Sequence, residues 1–152
     1  MNKIVKADAA ALIAASNIFT VAFQPIKSLE GFTCAFTLQA YPKSLLEKCD
    51  NSLRLKVKDG PFMSILILNW WKNQSDDDVV ISTFQIVVDQ IDEHANAQGT
   101  SVPYKYMKYA YGFQDPIQSY GKGVPRNLQE VSGKYDPEGI FQNGVPGGFK
   151  IL

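Results

Sequence analysis

Residues 32–41 read FTCAFTLQAY, and their alternation decides the fold. Phe32, Cys34, Phe36 and Leu38 point one way; Thr33, Thr37, Gln39 and Tyr41 point the other. Side chains two apart on a strand share a face, so this is a half-buried strand with one apolar and one polar side. Pro42, which has no amide to give a ladder, ends it. A sheet with a polar face carries its helices on the other face only. The fold class is therefore α+β: a small antiparallel sheet with helices packed on one face.

The flanking sequence fits that layout. Residues 44–49 can form a short helix, and residues 51–60 a loop ending in the turn Asp59-Gly60-Pro61. Residues 62–71, FMSILILNWW, are short, apolar and rich in Ile and Trp, which favours a buried strand. Trp70 and Trp71 fall on opposite faces of it. One belongs to the core, and Trp70 is the candidate to wall a pocket. Ser75 with Asp78 resembles a capping box ahead of a helix that runs to about Gln98. Val80, Phe84, Val87, Val88 and Ile91 form its buried stripe, and Gly99 caps its end. Upstream, Asp8 caps a helix whose inner face is Leu12, Ala15, Ser16 and Phe19, and Pro25 ends it. Two strands alone make a marginal sheet. Residues 104–110 are expected to add an edge strand, or a second copy of the chain to complete the sheet.

The totals bound the function. One domain over residues 1–152 is expected, with a helix-and-strand part at 1–102 and a tail at 103–152. Fifteen basic and fifteen acidic residues cancel, which argues against a nucleic-acid surface. No apolar stretch approaches the ~20 residues of a membrane span, so no membrane contact is expected. Lys3 and Lys6 before an alanine-rich run imitate a leader, but Asp8 interrupts it; the reading is a mature helix in a cytoplasmic chain. Cys34 reads as a core residue, and a disulfide with Cys49 is open. His94, the only histidine, reads as a surface residue near a helix end, and no metal site is expected.

Residues 103–152 carry a chain of motifs: Tyr104-Lys105-Tyr106-Met107-Lys108-Tyr109-Ala110, Phe113-Gln114-Asp115-Pro116-Ile117, Tyr120-Gly121, Leu128-Gln129-Glu130-Val131, Lys134-Tyr135-Asp136-Pro137-Glu138-Gly139-Ile140-Phe141 and Pro146-Gly147-Gly148-Phe149-Lys150. In this order they resemble the C-terminal part of fungal FAD-linked oxidoreductases of the berberine-bridge-enzyme-like family. The resemblance covers nearly the whole chain. It implies the latter half of a substrate domain, whose sheet face looks toward the substrate, plus a tail that returns to an FAD domain. The FAD-binding half has no counterpart here. With Met1 at the start, this sets the expectation of a chain without its own flavin. Two departures stand out: Lys108 occupies the place of an Asn that the resemblance puts close to flavin and substrate, and Gly121-Lys122-Gly123 lacks the Asn usual on the next helix.

Tyr106 and Lys108 are the candidate catalytic residues. On an extended segment Tyr104, Tyr106 and Lys108 share a face, and an ammonium beside a phenol makes an acid–base pair. The plain alternative is a tyrosine-rich sheet edge with a solvated lysine. Thr37, Gln39, Tyr41, Trp70, Tyr104 and Tyr109 are the candidate substrate-binding residues. Three functions follow: a flavin-free enzyme isomerising or cyclising a small apolar metabolite, an oxidoreductase component whose FAD comes from another chain, and a ligand-binding protein. The cofactor expectation is none, or FAD under the second reading. A homodimer is expected, because Tyr120, Phe141 and Phe149 would otherwise lack cover.

Overall fold

A computed structural model describes residues 1–48 and 55–151. Cys49, and with it the open question of a disulfide, lies outside the described residues. The elements are β1 (Asn2–Lys6), α1 (Ala9–Ala22), β2 (Thr33–Tyr41), α2 (Lys43–Glu47), β3 (Phe62–Trp70), α3 (Asp77–Ala97), β4 (Ser101–Val102), α4 (Pro116–Ser119) and α5 (Val124–Tyr135). The strands form one sheet in the order β2-β3-β1-β4, each pair antiparallel. Leaving out the five-residue α2, the first seven elements run β-α-β-β-α-β, the ferredoxin-like arrangement. The α+β class is as read from the sequence.

Helices α1 and α3 cover one sheet face. Asp8 caps α1, accepting from the Ala11 amide at 2.9 Å. The stripe of α3 is buried as its spacing predicts: Val80, Phe84, Val87, Val88 and Ile91, with Ala95 continuing it. Aromatic rings link the layers. Phe84 of α3 lies 4.6 Å from Phe23, Phe23 lies 4.8 Å from Phe19, and Phe19 lies 5.2 Å from Phe36 of β2. Trp71 packs on this side and its indole N–H donates to Asp77 at 2.7 Å. That leaves Trp70 on the opposite face, 56% exposed.

Several expectations fail for physical reasons. The sheet is completed by β1 and β4, not by residues 104–110 or a second copy. Residues 104–110 instead contain a 3-10 turn at Met107–Tyr109. The central strand β1 is hidden in the sequence because it buries Asn2 and Lys3, residue types that signal solvent. Ser75 caps nothing: a 3-10 turn at Gln74–Asp76 precedes α3, and no side-chain cap forms. Leu38, expected in the core, is 44% exposed on the edge strand β2. His94 is half-buried, with its Nε2 covered and without a hydrogen-bond partner. Ala9–Ile26 has a mean hydropathy of 1.5 over 18 residues, long and apolar enough to cross a membrane by length and composition. In the fold that segment sends Ala11, Ala15, Phe23 and Ile26 into the core.

Lys3 illustrates how a polar strand residue is accommodated. Its side chain is 5% exposed, and its ammonium pairs with Asp92 of α3 and donates to Ser101 Oγ at 2.8 Å and to the Val102 carbonyl at 3.2 Å. Burial pulls the Lys3 pKa below its ordinary value even against the pull of Asp92. Burial alone would raise Asp92, but hydrogen bonds from Lys3 and Ser101 and the Lys3 charge hold it below the usual carboxylate range. A partner removed from a buried pair leaves an uncompensated charge, whereas removing the buried member does not. Asp92→Asn should therefore cost about 2–3 kcal/mol, discounted for the exposure of Asp92, and Lys3→Met less than about 1 kcal/mol. Urea denaturation midpoints check the order.

Candidate functional site

The second sheet face is where the candidate residues converge. Strand register puts Thr33 opposite Trp70, Thr37 opposite Leu66, Gln39 opposite Ser64 and Tyr41 opposite Phe62. Opposed residues in an antiparallel pair share a face. Asn2 and Ile4 of β1 extend the same face, opposite Leu66 and Ser64. The α1 and α3 layer does not reach it.

The segment after β4 lies across one part of this face. Asn2 holds it there. The Asn2 side chain accepts from the Tyr106 amide at 2.9 Å and donates to the Tyr106 carbonyl at 3.0 Å. One side-chain amide thus does for Tyr106 what a neighbouring strand would do. Gln114 closes the arrangement: it donates to the Asn2 carbonyl at 2.8 Å and accepts from the amides of Asn2 at 3.3 Å and Tyr111 at 3.2 Å. Both side chains are buried, Asn2 at 1% and Gln114 at 5% exposure. Asp115 caps α4 through the Gln118 amide at 3.0 Å, and Ser119 accepts from the Lys105 amide at 2.9 Å.

So held, the tyrosines form a cluster. Tyr104 stacks on Tyr120 at 5.7 Å, and Tyr106 meets Tyr109 edge-on at 5.0 Å. Tyr41 and Tyr106 pack with Ile4, Phe62, Tyr104 and Tyr120. Burial pushes the Tyr104 pKa far above its ordinary value, and neighbouring phenols add to this. Burial likewise raises Tyr41, with Tyr106 and Tyr109 adding, and raises Tyr120, with Tyr106 adding. Such phenols stay protonated at neutral pH and keep an O–H to donate.

The structure gathers Tyr41, Tyr104, Tyr106 and Tyr109, with Gln39 two residues from Tyr41 on the same face. Two candidates stand apart. Trp70 is eight residues along the register from Phe62, or about 27 Å at about 3.4 Å per residue. It ends an open strip with Leu68, 37% exposed, and Thr33. Lys108 does not share a face with Tyr104 and Tyr106 on an extended segment, because the 3-10 turn swings it out to solvent. Tyr120 and Asn2 were not among the candidates. Tyr120 was read as uncovered tail surface, yet it is 8% exposed beneath Tyr104. Asn2 gave no local signal, since its partner Tyr106 lies 104 residues away.

Over part of its length the chain is similar to fungal FAD-dependent monooxygenases. It is 44% identical over 102 residues to the FAD-dependent monooxygenase tpcD of Cochliobolus heterostrophus, covering 66% of this chain and 20% of that protein. It is 32% identical over 96 residues to the bifunctional solanapyrone synthase of Alternaria solani, covering 63% of this chain and 19% of the other. It is 31% identical over 142 residues to the oligopeptidase PhomG' of Diaporthe leptostromiformis, covering 91% of this chain and 12% of the other. The chain thus spans about a fifth of the length of the flavin-dependent relatives it matches. No protein-family model matches it, and no solved structure matches it.

The starts of the three longer helices offer little to the diphosphate of an FAD molecule. A helix start with free amides and no negative charge is one common seat for a diphosphate. The α1 start is taken by the Asp8 carboxylate, α3 begins among Asp76, Asp77 and Asp78, and Pro125 removes a first-turn amide from α5. Among the described residues no group of His, Cys, Asp and Glu could hold a metal ion.

Two outcomes follow from this geometry. Asn2→Ala removes both partners of the part-buried amide and carbonyl of Tyr106 and should cost about 1–3 kcal/mol; urea unfolding measures it, and tyrosine near-ultraviolet dichroism should weaken first. The raised phenols contribute stability that is complete below their unfolded value of 10.0 and is lost as pH rises through their higher folded values. Unfolding free energy should therefore decline above about pH 10 as tyrosinate absorbance appears.

Proposed function

We propose that this chain forms the substrate-facing wall of a secondary-metabolism enzyme of the berberine-bridge-enzyme-like type, acting on a small apolar metabolite. The convergence of Gln39, Tyr41, Tyr104, Tyr106 and Tyr109 on the sheet face that α1 and α3 leave free supports it most. The wall offers aromatic surface with protonated phenols, which suits an apolar body carrying an oxygen function. Tyr106 is the proposed donor, and Lys108 stands at the solvent side of the same turn.

The face is open along Thr33, Leu68 and Trp70, so a second protein body closes the site. Flavin, where it is used, is carried by that body. A flavin, when bound opposite the wall, would supply hydride-accepting chemistry. The exposed tail residues Tyr135, Ile140, Phe141 and Val145 are a second surface that such a body, or a second copy, could cover.

A second reading keeps the wall and omits the flavin: a folded apolar substrate is held for isomerisation or cyclisation. Lys108, in the place where the family resemblance expects Asn, favours it, as does the likeness to a bifunctional synthase.

The test is replacement of the gene by Tyr41→Phe and Tyr106→Phe versions in the producing fungus, with metabolites followed by mass spectrometry. Product should fall about tenfold or more with precursor accumulating, as for a lost transition-state donor. Unchanged product would remove the wall from the chemistry. The visible spectrum separates the readings: catalysis by a colourless, flavin-free preparation supports the second. A yellow chain purified alone, absorbing near ~450 nm, contradicts both.

A further inference from the structure

The second feature with the shape of a binding site lies behind the tyrosine cluster, under the C-terminal strap. It is a cavity of about 420 Å3, within the roughly 300–1,000 Å3 typical of small-ligand sites. Its floor is Ile117 and Tyr120, both under a tenth exposed. Its walls are Met107, Val124 and Leu128, all half-buried. Phe149 and Ile151 roof it, and Asn127 and Val131 stand exposed at its rim.

The roof is built rather than draped. Gln142 accepts from the Ile151 amide at 2.9 Å and reaches Ser132 of α5 at 3.5 Å, so one side chain ties the strap to the helix beneath. Lys150 donates to the Val145 carbonyl at 2.6 Å and to the Phe141 carbonyl at 3.2 Å, turning its charge away from the cavity and bending the chain back. Asp136 accepts from the amides of Ile140 at 2.8 Å and Phe141 at 2.9 Å, fixing the turn from which the strap returns.

We propose that this cavity binds a neutral, apolar small molecule, independently of the sheet-face site. Among the described residues of the lining none carries a charge, and the only side-chain polar groups there are the Asn127 amide and the Tyr120 phenol. Water held there finds too few of the partners it needs. An apolar ligand removes the exposed surface of Val131, Phe149 and Ile151 from water and can set one carbonyl or hydroxyl against Asn127. A charged ligand would lose hydration with no partner to replace it. Because Tyr120 stacks on Tyr104, the ligand would rest against the back of the tyrosine cluster.

The experiment titrates the full chain with the neutral fluorophore N-phenyl-1-naphthylamine. Saturable one-to-one binding is expected. Val131→Trp, at an exposed rim position that tolerates a larger side chain, should weaken it about tenfold by filling the cavity. Gln142→Ala, which frees the roof, should weaken it with the helical dichroism retained. Ile86→Trp, in the separate groove of about 590 Å3 between α1 and α3, should leave it unchanged. Absence of saturable binding, or loss only in Ile86→Trp, overturns the proposal. Binding that disappears as light scattering shows the chain pairing also overturns it, and makes this surface a contact between copies. None of these readouts depends on Tyr41 or Tyr106, so the proposal can fail while the sheet-face reading stands.

Discussion

The rest of the structure depends on how the buried amide of Asn2 is satisfied. A four-stranded sheet with one helical layer leaves its other face to water. Here a loop with no strand partner is fastened to that face by a side chain acting as a strand edge. Gln114 then meets both the Asn2 backbone and the start of the next turn. Every group in this exchange is a neutral amide, so it is indifferent to pH and salt near neutrality. An unmade bond here would leave donors and acceptors buried and unpaired, which costs more than the bond itself contributes.

The tyrosine cluster is the product of that fastening. Phenols on a free loop would be solvated, and their pKa values ordinary. Laid against Ile4 and Phe62 they are desolvated, and Tyr41, Tyr104 and Tyr120 hold their protons more strongly. The chemistry available is hydrogen-bond donation along an aromatic wall. A phenolate stabilised by Lys108 is a different device, and the 3-10 turn at Met107–Tyr109 separates the two groups it would require.

Much of the frame was legible in the sequence because local pattern and tertiary role agree. The apolar run of β3, the stripe of α3 and the Asp8 cap each state their own environment, and the alternation of residues 32–41 marks the strand though not its burial, since Leu38 is 44% exposed. The placement of Thr37, Gln39 and Tyr41 on one face followed from the period of two alone, while Trp70 joins them only through the β2–β3 register. What stayed hidden was β1, whose Asn2 and Lys3 read as solvated. Their partners Tyr106, Gln114, Asp92 and Ser101 lie about a hundred residues downstream, and no local period records that. The same gap led residues 104–110 to be read as a strand: with β1 missing, the sheet wanted one. Tyr120 was misjudged for a related reason, since only the fold reveals that it lies under Tyr104.

Native-state hydrogen exchange at the Tyr106 amide tests the central claim most directly. If the Asn2 side chain serves as its strand partner, this amide is protected as strongly as those paired between β1 and β3, and Asn2→Ala removes the protection there while leaving α3 protected. Exchange of the Tyr106 amide as fast as an exposed loop in the unaltered chain would contradict the account: the tyrosine segment would then not be fastened to the sheet, and the wall would not exist.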